Sequence, residues 1–396
     1  YQWLSSVLFA FALVVVLFLA IYYCNSKIFE QFNKYLYLLM LFTLAAVAAS
    51  SISGYPAGYY YLVPFTLISL YLLAFFKQRV VFTVYVISLL PVLFFAANGI
   101  EVFVTYLVAG VVGMLVFEFF NRGWLQFVTA FIVFTVMVLV WLGFRLLEGP
   151  DTLSEYPIIL FMAIGAFLSV AGYPLIYLFE KIFKLVSKSK LVDLSDTSNK
   201  LLRRLAEEAP GTFQHCLQVM NLADAAARSI DADVALVRAG ALYHDIGKLG
   251  NPVCFTENQA EGVNYHDGLS YKESAQEITA HVTYGLELAE KHGLPLIVRD
   301  FIRTHHGTSS TGYFLNKYLN EGGDPEDVAE FYYDGAKPVT KEQVILMLCD
   351  SVEAASRSLK DYSQESVSAL VDKIIDGKAA EGYVSSEAVS MGDPLK

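Results

Sequence analysis

Val234-Ala235-Leu236-Val237-Arg238-Ala239-Gly240-Ala241-Leu242-Tyr243-His244-Asp245-Ile246-Gly247-Lys248 is the stretch on which the reading of this chain turns. Val234 to Tyr243 is apolar apart from Arg238 and reads as a helix. It delivers a histidine and an aspartate together at its C-terminal end, ahead of Gly247. Outward from that pair, His215 lies upstream and His281, His305-His306 and Asp350 lie downstream. The chain has seven histidines, and five of them fall in this series. Imidazoles and carboxylates are ligands for borderline and hard divalent metals. One tetrahedral zinc takes about four ligands, so the series exceeds the needs of a single ion. It suits two metals that share a carboxylate, an arrangement that runs phosphoester hydrolysis.

The other members of the series also fall on segments with helical character. Pro210-Gly211-Thr212 opens a helix carrying His215, with Val219 and Leu222 on the same face. Ser274 to His292 reads as a helix stopped by Gly293, with His281 inside it. Pro295 to Thr304 leads to His305-His306, stopped by Gly307. Thr340-Lys341-Glu342-Gln343 is a capping box for the helix carrying Asp350. No strand-rich pattern competes, so the region is all-α, with ligands converging from five helices. A lone helical histidine is ordinarily a packed or surface residue, and His266 and His292 outside the series read that way. Two dipeptides, two single histidines and an aspartate in apolar helices are not explained by packing alone. The four cysteines (Cys24, Cys216, Cys254, Cys349) form no CxxC pair and read as reduced thiols.

The chain has 396 residues, 55% hydrophobic, with a mean hydropathy of +0.47. Tyr1–Glu180 holds 6 Lys/Arg and 7 Asp/Glu, whereas Lys181–Lys396 holds 22 and 32. The first part therefore reads as a membrane domain and the second as an acidic soluble domain. That acidity argues against a nucleic-acid polymer as partner. It leaves room for a small phosphorylated ligand, since bound metals reverse the local field. A membrane span takes about 20 mostly apolar residues. Seven such stretches are expected, at 3–24, 35–53, 57–76, 79–97, 100–120, 124–147 and 157–179. The overall expectation is an all-α chain: a seven-helix transmembrane bundle at 1–180, a connecting amphipathic helix at 181–210, and an all-α cytosolic domain at 211–396.

Orientation follows from Lys and Arg. Lys27, Lys34, Lys77, Arg79 and Arg122 fall on one side, with Lys181, Lys184, Lys188 and Lys190 after the last span. The other side has Arg145, among Glu148, Asp151 and Glu155. The N-terminus is thus expected outside and the soluble domain in the cytosol. Starting at Tyr1 directly on an outward-facing span leads us to expect upstream sequence. Glu101 and Glu118 read as solvated near span ends. Pro64, Pro91 and Pro174 read as kinks, and Tyr59, Tyr60 and Tyr61 as an interfacial belt. No intramembrane charge relay is visible, which disfavours a transporter.

From about Leu201 to Lys373 the chain resembles the HD-domain phosphohydrolase superfamily. Three runs carry the likeness: Gly240–Lys248 leading into Phe255-Thr256-Glu257-Asn258-Gln259; Asp300-Phe301-Ile302 leading into His305-His306-Gly307-Thr308; and Asp350-Ser351-Val352-Glu353-Ala354-Ala355-Ser356-Arg357. With seven spans ahead, it resembles the seven-transmembrane HD-domain receptors, the PgpH-type cyclic di-AMP phosphodiesterases. The loop Phe331–Pro338 departs from the arginine and proline-rich turn usual there. The soluble half lacks the Gly-Tyr-Pro signature of cyclic di-GMP hydrolases, and His305-His306 is followed by Gly-Thr rather than Glu.

The resemblance implies two divalent metals bridged by Asp245, with manganese or iron expected and zinc allowed. His215, His244 and Asp350 would complete one site, and His281, His305 and His306 the other. It implies hydrolysis of cyclic di-AMP to 5′-pApA beside a lipid bilayer, with a homodimer allowed. Lys248 is the candidate cation for charge that develops on the phosphate oxygens. Asn258 and Gln259 are candidates for hydrogen bonds to phosphate or adenine. Tyr313, Phe314 and Tyr333 are candidates for stacking on a base. The competing readings are a receptor that binds nucleotide without cutting it, and an HD hydrolase of cyclic di-GMP or a guanosine alarmone.

Overall fold

The computed structural model describes residues 2–120, 123–148 and 156–384. They are helical, with an isolated bridge between Ser310 and Tyr332 as the only β pairing among the described residues. Two compact units divide the chain, Tyr1–Ser187 and Lys188–Lys396.

The first unit contains α1 (Gln2–Asn25), α2 (Phe32–Ile52), α3 (Thr66–Leu73), α4 (Gln78–Phe95), α5 (Gly99–Phe117), α6 (Gln126–Glu148), α7 (Tyr156–Ala171) and α8 (Ile176–Phe183). Among the described residues, six segments are long and apolar enough to cross a membrane, so this is a multi-pass membrane protein. The remaining expected span, the third at 57–76, is not a continuous helix. A 3-10 turn, Ala57–Leu62, gives way to extended backbone at Val63, and α3 starts only after Pro64-Phe65. Proline forces the residue before it out of the helical region and supplies no N–H. Pro64 therefore breaks the span where a kink was expected. Pro91, by contrast, sits inside an unbroken α4. Pro174 lies in the 3-10 turn Tyr173–Leu175 between α7 and α8.

Irregular backbone at membrane depth survives only where protein covers it. The Tyr106 hydroxyl lies 2.9 Å from the Tyr60 carbonyl and 2.7 Å from that of Val63. The Tyr60 hydroxyl donates to Ala49 O at 2.8 Å. Tyr60 and Tyr61 are thus core residues, and only Tyr59 is exposed as a belt residue would be. Glu101 also departs from expectation. It is buried, accepts a 2.8 Å hydrogen bond from the Tyr61 hydroxyl and pairs with the buried Arg145. Arg145 also reaches Glu148 at 2.8 Å. A carboxylate one turn inside α5 is solvated only if nothing packs over it, and α6 does.

The second unit contains α9 (Lys188–Leu194), α10 (Lys200–Glu208), α11 (Pro210–Ser229), α12 (Val234–Tyr243), α13 (Tyr271–Lys291), α14 (Leu296–Thr304), α15 (Gly312–Asn320), α16 (Lys341–Ser356) and α17 (Gln364–Ala380). The single connecting helix expected at 181–210 is instead three pieces. Lys184 closes α8 in the left-handed conformation, φ 51°. Asp196 accepts from the Ser198 amide, and Asn199 caps α10 through the Leu201 amide. Such Asp and Asn bonds compete with helix continuation.

Several helices of the second unit begin for a readable reason. Pro210 at the first turn of α11 needs no N–H partner. Ser270 and Glu273 form a full capping box for α13. The box expected for α16 is half made: the Thr340 side chain accepts from the Gln343 amide, but Gln343 answers Val339 rather than Thr340. After Asp245 the chain runs as a 3-10 turn, Ile246–Gly250, tight against α13. A Cβ on Gly247 would lie 1.7 Å from the His281 carbonyl, so only glycine lets these two ligand-bearing segments close.

Candidate metal centre

α11, α12, α13 and α16, together with the turn after α14, bring His215, His244, Asp245, His281, His305, His306 and Asp350 to one place. Asp245 stands in the middle. Its Oδ2 lies 3.4 Å from both His215 Nε2 and His244 Nε2, and its Oδ1 lies 3.5 Å from both His281 Nε2 and His305 Nε2. Each carboxylate oxygen thus faces its own histidine pair. Asp350 Oδ1 adds a second carboxylate, 3.0 Å from His215 Nε2 and 3.7 Å from His244 Nε2. Two donor groups result, His215-His244-Asp245 and Asp245-His281-His305-His306, with Asp245 common to both.

The histidines are aimed by their other ring nitrogens. Nδ1 of His244 sits 2.8 Å from Ala241 O, that of His305 2.8 Å from Ile302 O, and that of His281 against Ile278 O. Each partner is a carbonyl three residues back; those of Ala241 and Ile302 lie in the last turns of α12 and α14, whereas Ile278 is inside α13. A ring that gives its Nδ1 proton to a carbonyl presents Nε2 as a bare lone pair, the usual way a metal ligand is oriented. His215 differs: its Nδ1 meets Glu353 Oε2 at 2.5 Å, and Arg357 holds Glu353 in turn.

His244 Nε2 and Asp245 Oδ1 are buried with no hydrogen-bond partner. An unsatisfied buried group costs about 1–3 kcal/mol. Two such atoms, in the middle of five imidazoles and two carboxylates, fit divalent ions as the missing partners. Access is from the His306 side. Its side chain is 28% exposed, against 9% for Asp350 and 5% or less for the other five.

Electrostatics divide the centre. Burial opposes charge on His215, but its bonds to Asp350 and Glu353 push it up to about 9. His244 is also raised well above the ordinary value, burial being outweighed by Asp245. Burial pushes His281 down to about 4, and burial with the nearby His305 depresses His306. Asp245 and Asp350 stay ionised despite burial, held by Lys248 and by the histidines respectively. An ion entering beside His215 and His244 must therefore displace protons. Because the folded pKa of His215 is raised, its charge pairing stabilises the metal-free protein fully below about pH 6.5. That stabilisation is lost as pH rises through about 9. Adding manganese at pH 7 is expected to release one proton each from His215 and His244. Titration calorimetry in two buffers of different ionisation heat checks this, and equal heats in both would contradict it.

Lys248 Nζ bridges Asp245 Oδ2 at 2.7 Å and Glu257 Oε1 at 2.8 Å, over the Phe255 ring. Burial works against its charge, but the two carboxylates keep it protonated. The remaining candidates separate. Tyr333 lies at the centre, stacked on His306 with ring centroids 4.3 Å apart. Tyr313 and Phe314 sit elsewhere, in a cavity of about 1140 Å³ that Phe255, Glu257, Gln259 and His266 also line. Gln259 donates to Val253 O at 2.9 Å. Asn258 is taken up internally: it accepts from the Thr212 amide and donates to Thr212 Oγ1 and Pro252 O. Its side chain ties this loop to the start of α11 instead of facing outward. Glu353 and Arg357 fall in the run Asp350–Arg357, and the sequence reading assigns them no role. They follow Asp350 at i+3 and i+7, the spacing that keeps residues on one helix face, which is the signal available for them. Glu257, in the run Phe255–Gln259, likewise has no role in the sequence reading.

The family described as "7TM receptor with intracellular HD hydrolase" matches residues 1–187, and the HD domain matches residues 212–355. The chain is similar to the cyclic-di-AMP phosphodiesterase PgpH of Listeria monocytogenes serotype 1/2a (strain 10403S). The two are 35% identical over 293 residues, covering 72% of this chain and 40% of that protein. It is similar to the cyclic-di-AMP phosphodiesterase PgpH of Bacillus subtilis (strain 168), 36% identical over 285 residues, covering 71% and 40%. It is also similar to the crystal structure of the L. monocytogenes PgpH HD domain in complex with cyclic-di-AMP. That match has 36% identity and a TM-score of 0.46, covering 48% of this chain and 92% of that one. The chain thus spans about 40% of the length of the curated relatives it matches.

Proposed function

Because the chain belongs to the seven-transmembrane receptors with an intracellular HD hydrolase, we propose that its soluble half is a metal-dependent phosphodiesterase that opens cyclic di-AMP to 5′-pApA. The observation that carries the reading is Asp245, buried with each oxygen facing a separate histidine pair and Oδ1 unsatisfied. The names of the two PgpH relatives support the substrate. His215, His244, Asp245 and Asp350 would hold one divalent ion, and Asp245, His281, His305 and His306 a second. Manganese or iron suits this donor set. When bound, such ions supply Lewis-acid polarisation of the phosphodiester and an acidified water.

The chain's own groups do the rest. Lys248, held charged between Asp245 and Glu257, places a fixed cation where negative charge grows on the phosphate oxygens. His306, the most exposed of the seven, would mark the edge by which a nucleotide reaches the centre, with the buried Tyr333 ring stacked on it. Low dielectric around the buried carboxylates strengthens each of these interactions. The lysine pattern between spans supports a cytosolic soluble half and an extracytoplasmic start for α1.

The test is the full chain in detergent with manganese or iron, offered cyclic di-AMP, cyclic di-GMP and guanosine tetraphosphate together and followed by chromatography. Conversion of cyclic di-AMP to pApA well ahead of the other two is expected. Faster turnover of either competitor would reassign the substrate. Tight binding without turnover of any would favour a non-catalytic receptor.

A further inference from the structure

We infer that Tyr383, beyond the last helix, is a positioning residue that sets the His305–His306 turn for the second metal. The inference rests on the two-metal reading of the centre. After Glu353 the chain is peripheral: α17 has no buried residue, and among the described residues Tyr383 alone is buried. The place where it is buried is informative. Its hydroxyl accepts from the Thr308 amide at 3.1 Å and sits 3.1 Å from Thr308 Oγ1. Its ring covers Gly307, where a Cβ would come within 2.5 Å of Tyr383 Cε1.

α14 ends at Thr304, and Gly307, at φ 59°, turns the chain away directly after the two histidines. The turn is clamped from two sides. On one side the 333–336 segment bonds to it, Tyr333 N to Ser309 O and Ala336 N to Arg303 O, while the Tyr333 ring stacks on His306. On the other side stands Tyr383. The phenol has further contacts: Lys337 Nζ lies 5.4 Å and Lys378 Nζ 5.1 Å from its ring centroid. Its amide closes α17 on Lys378 O after Gly382, φ 75°. An arrangement this specific, at the one buried residue after Glu353 among the described residues, falls one residue from a proposed metal ligand and two from another.

His306 is the ligand that depends most on this clamp. The other histidines are buried, with Nδ1 fixed to a carbonyl or to Glu353. His306 Nδ1 faces Asp350 Oδ2 only at 4.0 Å, and its side chain is the most exposed of the set. Its position is set by ring contacts with His305 and Tyr333, at centroid distances of 4.0 and 4.3 Å, and by the backbone of the turn that carries both histidines.

The experiment measures manganese binding to the full chain in detergent, as stoichiometry and as two dissociation constants, for wild type, Tyr383→Phe and Tyr383→Ala. Supporting groups around metal ligands are worth about 10–100-fold in affinity. The expectation is about 10-fold weakening of the second ion in Tyr383→Phe and about 100-fold in Tyr383→Ala. The first ion, on His215, His244 and Asp350, stays within about 3-fold. A general packing role would weaken both ions together, and that outcome overturns the inference. So does unchanged affinity in Tyr383→Ala. Tyr383→Phe keeps the ring and guards against misfolding of the alanine variant. If wild type itself binds fewer than two ions, the two-metal reading fails instead, which separates the two failures.

Discussion

Asp245→Asn is expected to lose at least about 10³-fold in turnover and to lose both metals while the helical fold persists. The asparagine matches the aspartate in shape, so packing in the fully buried site is kept. What goes is the negative charge that both donor groups share. The loss should exceed that for a single oxyanion donor, about 10²–10³, because the same substitution empties two sites. Metal content by elemental analysis, circular dichroism and pApA formation, all on the full chain, make the check. Two bound ions with turnover near wild type would remove Asp245 from the centre of the mechanism.

Lys248→Met carries the second largest effect, and its signature is the reverse. Turnover should fall about 10²–10³-fold with both metals still bound. The fall should appear in kcat more than in KM, because the cation acts on charge that grows in the transition state. The methionine fills the space over Phe255 but leaves Asp245 Oδ2 and Glu257 Oε1 without their shared cation. Glu257 is held below the usual carboxylate range by Lys248 against the pull of burial. Without the lysine its pKa must rise. The variant should therefore bind a proton there that wild type does not, and its pH profile should shift upward on the acid side. Unchanged kcat would return Lys248 to a purely structural place in the ion network.

The soluble half was legible because its chemistry lies in local runs. His244-Asp245 and His305-His306 are dipeptides at helix ends, with Gly247 two residues after the first and Gly307 directly after the second. Apolar periodicity places those ends without knowledge of the tertiary fold. Glu353 was not legible in the same way. Its role appears only when His215, 138 residues earlier, arrives beside it. Asn258 looked like a free polar group because its partners at Thr212 lie 46 residues away. In the membrane half, hydropathy found the segments but not their continuity. Glu101 looked solvated because Arg145, 44 residues on, is invisible to a local window. Tyr60 and Tyr61 looked interfacial because tyrosines commonly are. Here their hydroxyls have buried acceptors instead.

The break at Pro64 bears on how the chain is made. A continuous helix satisfies its own backbone as it leaves the ribosome and can partition into lipid alone. The segment Ala57–Leu73 does this by short turns, the Val63 amide bonding to Tyr60 O and the Phe65 amide to Val63 O. Its side chains are another matter. The Tyr61 hydroxyl has its buried acceptor in Glu101, and the hydroxyl that covers the Tyr60 and Val63 carbonyls belongs to Tyr106. The burial of the third segment is therefore complete only once the fifth has been made.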